Sequence, residues 1–251
     1  FNWSPNTKLS IDWPQAYVEM GETAENVAQK WNITREQQEQ FAYESHIKSS
    51  KAVSDGNFSD ELIEINSDSA SVSDDGCIRF EPSIEAMSGL RPVFSDSGTV
   101  TAATSSPLTD GATALIVCSE EFASSHGLQP LVRIVSGTAT GCKPELMGMG
   151  PVSATQKVLE NANWEIDSVD LFEINEAFSS QSLAVISELG IDIGRVNIDG
   201  GAISIGHPLG ASGARITGKA ASLLNRTGGK RAIATMCIGG GMGMAMALEK
   251  I

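Results

Sequence analysis

The chain has 251 residues, 41% hydrophobic and 6% aromatic, enough for a sizeable core in one large or two small domains. Its net charge of −14 argues against a nucleic-acid partner, whose phosphates require a basic face, and against adsorption to an anionic membrane. No apolar run reaches the roughly 18 residues of a membrane span, and no basic-then-apolar signal peptide opens the chain.

In chain order, residues 1–19 lack a clear period, are punctuated by Pro5 and Pro14, and read as an extended entry segment. Residues 23–31 and 34–53 follow as helices, the second opened by a capping-box pair, Thr34 and Gln37, and closed by Asp55-Gly56. His46 falls inside that helix and reads as a partly exposed residue. Residues 61–65 alternate like a strand, and the acidic, Ser-rich run 67–76 reads as a solvated loop. Residues 78–109 carry Pro82, Pro92, Gly98 and Pro107 and form a long irregular stretch, of a length more often functional than decorative. Residues 113–119 read as a buried strand and 120–126 as a short helix ended by His126.

From residue 131 the rhythm becomes regular. Strand 131–140, helix 151–161, strand 169–174, helix 176–189, strand 196–198, helix 209–225 and strands 231–237 and 243–249 give the order βαβαβαββ. Alternation of this kind predicts an α/β fold with a mixed sheet, parallel except for the final, antiparallel pair.

Three stretches carry the candidate chemistry. Gly200-Gly-Ala-Ile-Ser-Ile-Gly-His-Pro-Leu-Gly delivers His207 through a bare-backbone loop between a strand and a helix N-terminus. Cys237-Ile-Gly-Gly-Gly-Met-Gly presents a thiol at a strand end, and Asn175-Glu-Ala-Phe places a carboxamide and a carboxylate at another strand-to-helix junction. Taken singly, the histidine or the cysteine is more often a core residue. The glycine loop also lacks the Lys-Ser/Thr ending of a nucleotide P-loop. Cys77, Cys118, Cys142 and Cys237 show neither a C-x-x-C pair nor metal spacing, so no metal is expected and reduced thiols fit a cytoplasmic compartment. Cys77, Cys118 and Cys142 read as filler or surface thiols, and His126 as a helix-end residue.

In this order and spacing the three motifs resemble the C-terminal motifs of the thiolases, the acetyl-CoA acetyltransferases and 3-ketoacyl-CoA thiolases. Met20-Gly-Glu-Thr-Ala-Glu-Asn-Val-Ala, Gly98-Thr-Val-Thr-Ala and Ser105-Ser-Pro-Leu-Thr-Asp-Gly-Ala extend the likeness over nearly the whole chain. The resemblance implies a thiolase fold, with a CoA-covering loop domain at 1–110, the tail of an N-terminal half-domain at 111–128 and one complete C-terminal half-domain at 129–251. It also implies a ping-pong acyl transfer that condenses two acetyl-CoA to acetoacetyl-CoA or cleaves a 3-ketoacyl-CoA with CoA. Acetyl-CoA, acyl-CoA and CoA are then substrates, no cofactor is needed, and the subunits form a homodimer or homotetramer.

The roles carry over by motif. His207 would activate a nucleophilic cysteine, Cys237 would move the α-proton, and oxyanion holes would come from His207 with a water on Asn175 and from the Gly239 N–H. Arg79, the one basic residue between Lys51 and Arg91, would meet the nucleotide end of CoA. Ala102, Ser106 and Leu108 would line the pantetheine channel, and Met20, Phe94, Met147 and Phe178 the acyl pocket. Two positions depart from the pattern: Glu19 stands where short-chain members often carry a histidine, and Ala86 where a serine helps to hold CoA. The nucleophilic cysteine, which the family places well before the Met20 stretch, has no counterpart here. The chain, which starts at Phe1, is therefore expected to be a partial or processed product, inactive alone. Two other readings stay open, a ketoacyl synthase that condenses by decarboxylation and a non-catalytic acyl-CoA or lipid binder.

Overall fold

In the computed structural model, which describes residues 4–67 and 71–251, the chain opens with α1 (Thr7–Asp12) and a 3-10 turn at Pro14–Tyr17. Helices α2 (Met20–Lys30) and α3 (Arg35–Ser54) follow. The capping box at the start of α3 forms as the sequence predicts: the Thr34 hydroxyl accepts from the Gln37 N–H, and the Gln37 side chain accepts from the Thr34 N–H at 2.7 Å. His46 differs from expectation. It is only 4% exposed, because its face of α3 is covered by the segment around Arg79.

The strand expected at 61–65 shrinks to β1 (Ile65–Asn66), paired antiparallel with β2 (Ser71–Val72) in a small exposed ribbon. Residues 68–70 of the acidic run lie outside the described residues, as do the first three residues of the entry segment. The irregular stretch that follows holds α4 (Ile84–Ser88) and a 3-10 turn at Ala102–Thr104, and is fixed by side chains of the helices. The Arg35 guanidinium donates to the carbonyls of Met87 at 3.1 Å and Leu90 at 2.6 Å. The Glu25 carboxylate accepts from the N–H groups of Thr99 and Val100, both at 2.9 Å. A long loop can hold one shape only if its backbone groups find partners in this way.

Residues 113–119 do not form the buried strand that their composition predicts. No strand among the described residues lies beside them to complete a ladder, so they run extended, with Ile116 90% and Val117 71% exposed. Helix α5 (Glu120–Ser125) follows, capped by the Ser119 hydroxyl and ended at His126 as expected.

The remainder folds as β3 (Val132–Gly141), α6 (Gly150–Ala162), β4 (Leu171–Ile174), α7 (Ser179–Leu189), α8 (Ala202–Ile205), α9 (Leu209–Thr227), β5 (Arg231–Ile238) and β6 (Met242–Lys250). The sheet order is β3-β6-β5-β4, with β4 and β5 parallel and the other pairs antiparallel. The strand expected at 196–198 is reduced to a single parallel bridge between Val196 and Phe172. Asn197 takes a left-handed conformation, φ 44°, and its carboxamide substitutes for the ladder, accepting from the Ile174 N–H at 2.9 Å and donating to the Ile174 carbonyl at 2.8 Å. Helix α7 starts three residues later than its pattern predicts, because Ala177 and Phe178 stay extended to pair with Ser105 and Ser106.

Strand side chains alternate between faces. Phe172, Ile174 and Ile233 face the α6 and α7 side with Val158, Leu159, Val185 and Ile186. Leu171, Ala232, Ala234 and Leu248 face α9 and its Ile216, Ala220, Leu223 and Leu224.

One close approach seats α6 on the sheet. A Cβ on Gly243 of β6 would lie 2.1 Å from the Gly150 carbonyl carbon, so the two backbones touch where β6 pairs with Cys237. Gly243→Ala is therefore expected to destabilise the fold by about 1–3 kcal/mol. Gly213→Ala in α9, whose nearest neighbour would be the Met236 sulfur at 3.6 Å, should instead leave stability unchanged or raise it by roughly 0.5–1 kcal/mol. Urea midpoints of the two variants check the contrast.

Candidate active site

Three chain reversals at one end of the sheet converge. Asn175 leaves β4, its N–H bonded to the Thr235 carbonyl at 2.9 Å. His207 sits between α8 and α9 after Gly206, whose φ of 110° only glycine adopts without strain. Cys237 lies near the end of β5, ahead of a turn in which Gly240 and Gly241 both have positive φ.

A buried carboxylate holds two of these reversals, those of Asn175 and His207, to one another. Glu176 accepts from the Ser45 hydroxyl of α3 at 2.7 Å, the Asn197 carboxamide at 2.8 Å and the Ile203 N–H at 3.1 Å. Gly201 passes so close that a Cβ there would lie 2.4 Å from the Glu176 carboxyl carbon. Ser45 and Ser49 of α3 also bond the Ser204 hydroxyl, at 3.0 and 2.7 Å, and Ser49 donates to the Asp199 carbonyl at 3.0 Å. The loop that carries His207 is thus laced to both β4 and α3. Sequence reasoning saw the Glu176 carboxylate in its motif and gave it no task; Ser45, Asn197 and Ser212 carried no signal of their own.

Hydrogen bonding fixes the tautomer of His207. The Asn175 carboxamide nitrogen, a donor, faces Nε2 at 3.3 Å, so Nε2 is the acceptor and Nδ1 carries the proton. The Ser212 hydroxyl, 2.6 Å from Nδ1, accepts from it when its own proton goes to the Pro208 carbonyl at 3.0 Å. Burial lowers the His207 pKa from its ordinary value and the nearby Arg215 charge lowers it further, so the ring is neutral at pH 7 with a base-competent Nε2. The Asn175 Oδ1 is buried without a protein partner.

Cys237 is 5% exposed and packs in one apolar cluster with Ala24, Val100, Met147, Ala177, Phe178 and the half-buried Phe94. Phe94 meets Phe178 edge-to-face, ring centroids 6.0 Å apart. The Met20 sulfur stands beside Gly239, 3.8 Å from where a Cβ would be. Met20, Phe94, Met147 and Phe178, the expected acyl-pocket residues, are thus gathered around Cys237 and Gly239. Burial pushes the Cys237 thiol up to about 12, which keeps it protonated and makes its thiolate a strong base.

The other expected contacts lie in the irregular stretch. Ser106 is fastened to the Ala177 carbonyl by its N–H at 3.0 Å and its hydroxyl at 3.1 Å. Ala102 and Leu108 are exposed. Residues 105–111 run past the histidine loop, Thr109 against Gly206 and Gly111 against Pro208. Arg79 is exposed and anchored to α3 rather than to any of these groups. Among the described residues, no group of three or more His, Cys, Asp or Glu side chains is arranged to hold a metal ion.

Known proteins resemble the chain over most of its length. Residues 11–121 match the family profile "Thiolase, N-terminal domain", and residues 128–250 match "Thiolase, C-terminal domain". An acetyl-CoA acetyltransferase of Shinella zoogloeoides is 47% identical over 236 residues, 92% of this chain and 60% of that protein. A 3-ketoacyl-CoA thiolase of Bacillus subtilis is 42% identical over 258 residues, 98% of this chain and 66% of that protein. Among solved structures, the Bacillus anthracis acetyl-CoA acetyltransferase superposes with a TM-score of 0.90 at 43% identity, over 93% of this chain and 60% of that one. Human mitochondrial 3-ketoacyl-CoA thiolase in complex with CoA superposes with a TM-score of 0.91 at 41% identity, over 93% and 59%. The chain spans less than two thirds of the length of each of these relatives.

Two outcomes follow from the geometry. Glu176→Gln keeps the shape but turns one acceptor oxygen into a donor facing donors, so unfolding free energy should fall by about 1–3 kcal/mol, and the Ile203 amide should exchange faster with deuterium. Cys237, buried and held protonated, should resist iodoacetamide under conditions that alkylate the exposed Cys118, as read by peptide mass spectrometry.

Proposed function

The chain belongs to the thiolase family, and on that premise we propose that, within a complete subunit, it supplies the base and oxyanion machinery of acyl transfer between CoA thioesters. The reaction is condensation of two acetyl-CoA to acetoacetyl-CoA or, in reverse, thiolysis of a 3-ketoacyl-CoA. The observation that carries this reading is the His207 imidazole, with Nδ1 against the Ser212 hydroxyl and Nε2 against the Asn175 carboxamide.

Acyl transfer starts with a thiolate, and a neutral imidazole with an unprotonated Nε2 is the group to generate one. None of Cys77, Cys118 and Cys142 hydrogen-bonds to His207. On this reading the acyl-accepting cysteine comes from a part of the complete subunit other than these 251 residues, as the motif resemblance implies. Once the acyl-enzyme forms, the α-proton of a second acyl-CoA must be removed. A thiolate whose conjugate acid lies near 12 is a strong base for that step, and the corresponding thiol is the acid that returns the proton in thiolysis. Both directions build negative charge on a thioester oxygen. Once Nε2 of His207 carries the proton taken from the nucleophilic thiol, its N–H and a water held by the unpartnered Asn175 Oδ1 serve one oxygen, and the Gly239 N–H serves the other.

The apolar cluster of Phe94, Met147 and Phe178, with Met20 at its edge, receives the acyl chain beside Cys237. Ala102, Ser106 and Leu108, on the segment that passes the histidine loop, line the path of the pantetheine arm, and Arg79 meets the nucleotide end. The division at 1–110, 111–128 and 129–251 is part of the same reading; the two family profiles, the first ending at residue 121 and the second starting at 128, bear only on its second boundary. So are a homodimeric or homotetrameric assembly, a cytoplasmic location and a reaction that needs no cofactor. No helix among the described residues is long and apolar enough to cross a membrane. The acetyl-CoA acetyltransferase and 3-ketoacyl-CoA thiolase names of the relatives favour this reading over a ketoacyl synthase.

Cys237→Ser in a complete subunit should still form the acyl-enzyme, detected by intact mass, while α-proton exchange and condensation fall by about 10²–10⁴-fold. His207→Ala should impair both half-reactions. Loss of acylation in a folded Cys237→Ser variant would reassign the thiol.

A further inference from the structure

Helix α3 presents two neighbouring pairs of polar side chains, each one helical turn apart. Ser45 and Ser49 hold the loop that carries His207. His46 and Ser50 hold a different target, the backbone of Arg79. The Arg79 N–H donates to His46 Nδ1 at 3.1 Å, and the Ser50 hydroxyl donates to the Arg79 carbonyl at 3.3 Å. Both main-chain polar groups of one residue are thus taken by side chains of one helix, although residues 76–82 form no regular ladder. Ile78 adds an apolar anchor, packing with Ala52, Val53, Phe58 and Ile205. Ile205 belongs to α8, so the Arg79 segment is wedged between α3 and the histidine loop.

A buried histidine that accepts through Nδ1 must be neutral. Burial, and after it the Arg79 charge, lowers His46 to about 4, so the acceptor is present throughout the neutral range. The Arg79 side chain itself is exposed and lies in an acidic stretch of sequence, with Asp74, Asp75, Glu81 and Glu85 nearby in the chain. A flexible arginine recognises an anion well only if its base is fixed, because less freedom is then lost on binding.

We propose that His46 is a positioning residue for the nucleotide end of coenzyme A, acting by clamping the Arg79 backbone so that the guanidinium stands where a ligand phosphate arrives. This rests on the reading of Arg79 as a CoA contact given above. It adds a residue that touches no substrate, and it makes α3 the common support of the phosphate end and the reacting end of the site.

Calorimetric binding of CoA and of pantetheine, which lacks the nucleotide, to the complete subunit tests this without requiring turnover. His46→Leu should weaken CoA by roughly 3- to 10-fold, the worth of one hydrogen bond, and leave pantetheine unchanged. His46→Asn, whose Oδ1 can replace Nδ1 as acceptor, should bind CoA like the parent. In an Arg79→Ala background His46→Leu should add nothing, since both changes remove the same contribution. Ser50→Ala, a milder change at the second anchor, should shift CoA in the same direction and covers the case in which His46→Leu does not fold. Equal losses for CoA and pantetheine, additivity with Arg79→Ala, or unchanged CoA affinity in both His46→Leu and Ser50→Ala would overturn the proposal. If Arg79→Ala alone leaves CoA binding intact, the assignment of Arg79 fails and the role of His46 fails with it, whereas a parent that binds CoA without acyl transfer overturns only the proposed reaction.

Discussion

The Glu176 carboxylate is the interaction on which the site depends. A buried carboxylate is costly unless donors surround it, and here a hydroxyl from α3, a carboxamide from the residue that replaces a strand and an N–H from α8 all converge on it. Each donor belongs to a different segment. Satisfying one charge therefore fixes the relative positions of β4, α3 and the histidine loop, and explains why Gly201 must lack a Cβ. The adjacent Asn175 inherits that placement, because it is anchored to β5 on one side and followed by Glu176 on the other.

From this anchor the chemistry is set by smaller asymmetries. Ser212 bonds back to the Pro208 carbonyl four residues earlier, a common habit of serine in a first helical turn, and its hydroxyl then accepts from His207 Nδ1. Burial acts in opposite senses on the two reactive groups, because it always penalises the charged form. It keeps the imidazole neutral and therefore basic, and it keeps the thiol protonated and therefore a proton carrier rather than a nucleophile. Burial also raises Glu173, two residues before Asn175, to about 8, against the opposing charges of Arg215 and Lys219. The strand that enters the site thus brings an uncharged acid instead of a competing anion at neutral pH.

The less regular part of the chain is held by long-range side-chain bonds rather than by ladders. Glu25 grips residues 99 and 100, Arg35 grips residues 87 to 90, and His46 with Ser50 grips residue 79. Two helices therefore impose a single conformation on a loop that local propensity leaves open, and that loop reaches the site at Ser106 and Thr109.

The sequence alone determined the α/β alternation after residue 131, the capping box of α3, and the three motifs that bear Asn175, His207 and Cys237. Those features are local: a hydrophobic period, a cap or a glycine run is written in a few consecutive residues. Tertiary structure decided what depends on neighbours distant in sequence. Residues 113–119 have the composition of a buried strand and remain exposed, because a strand needs a partner and composition cannot supply one. Residues 196–198 yield to an asparagine side chain that satisfies Ile174 better than a ladder would. His46 is buried although its helix carries a weak pattern, since the Arg79 segment that covers it arrives from 33 residues away. The tautomer of His207, the elevated Cys237 and the gathering of Met20, Phe94, Met147 and Phe178 around one thiol likewise follow from distances and burial, quantities that exist only once the chain has closed on itself.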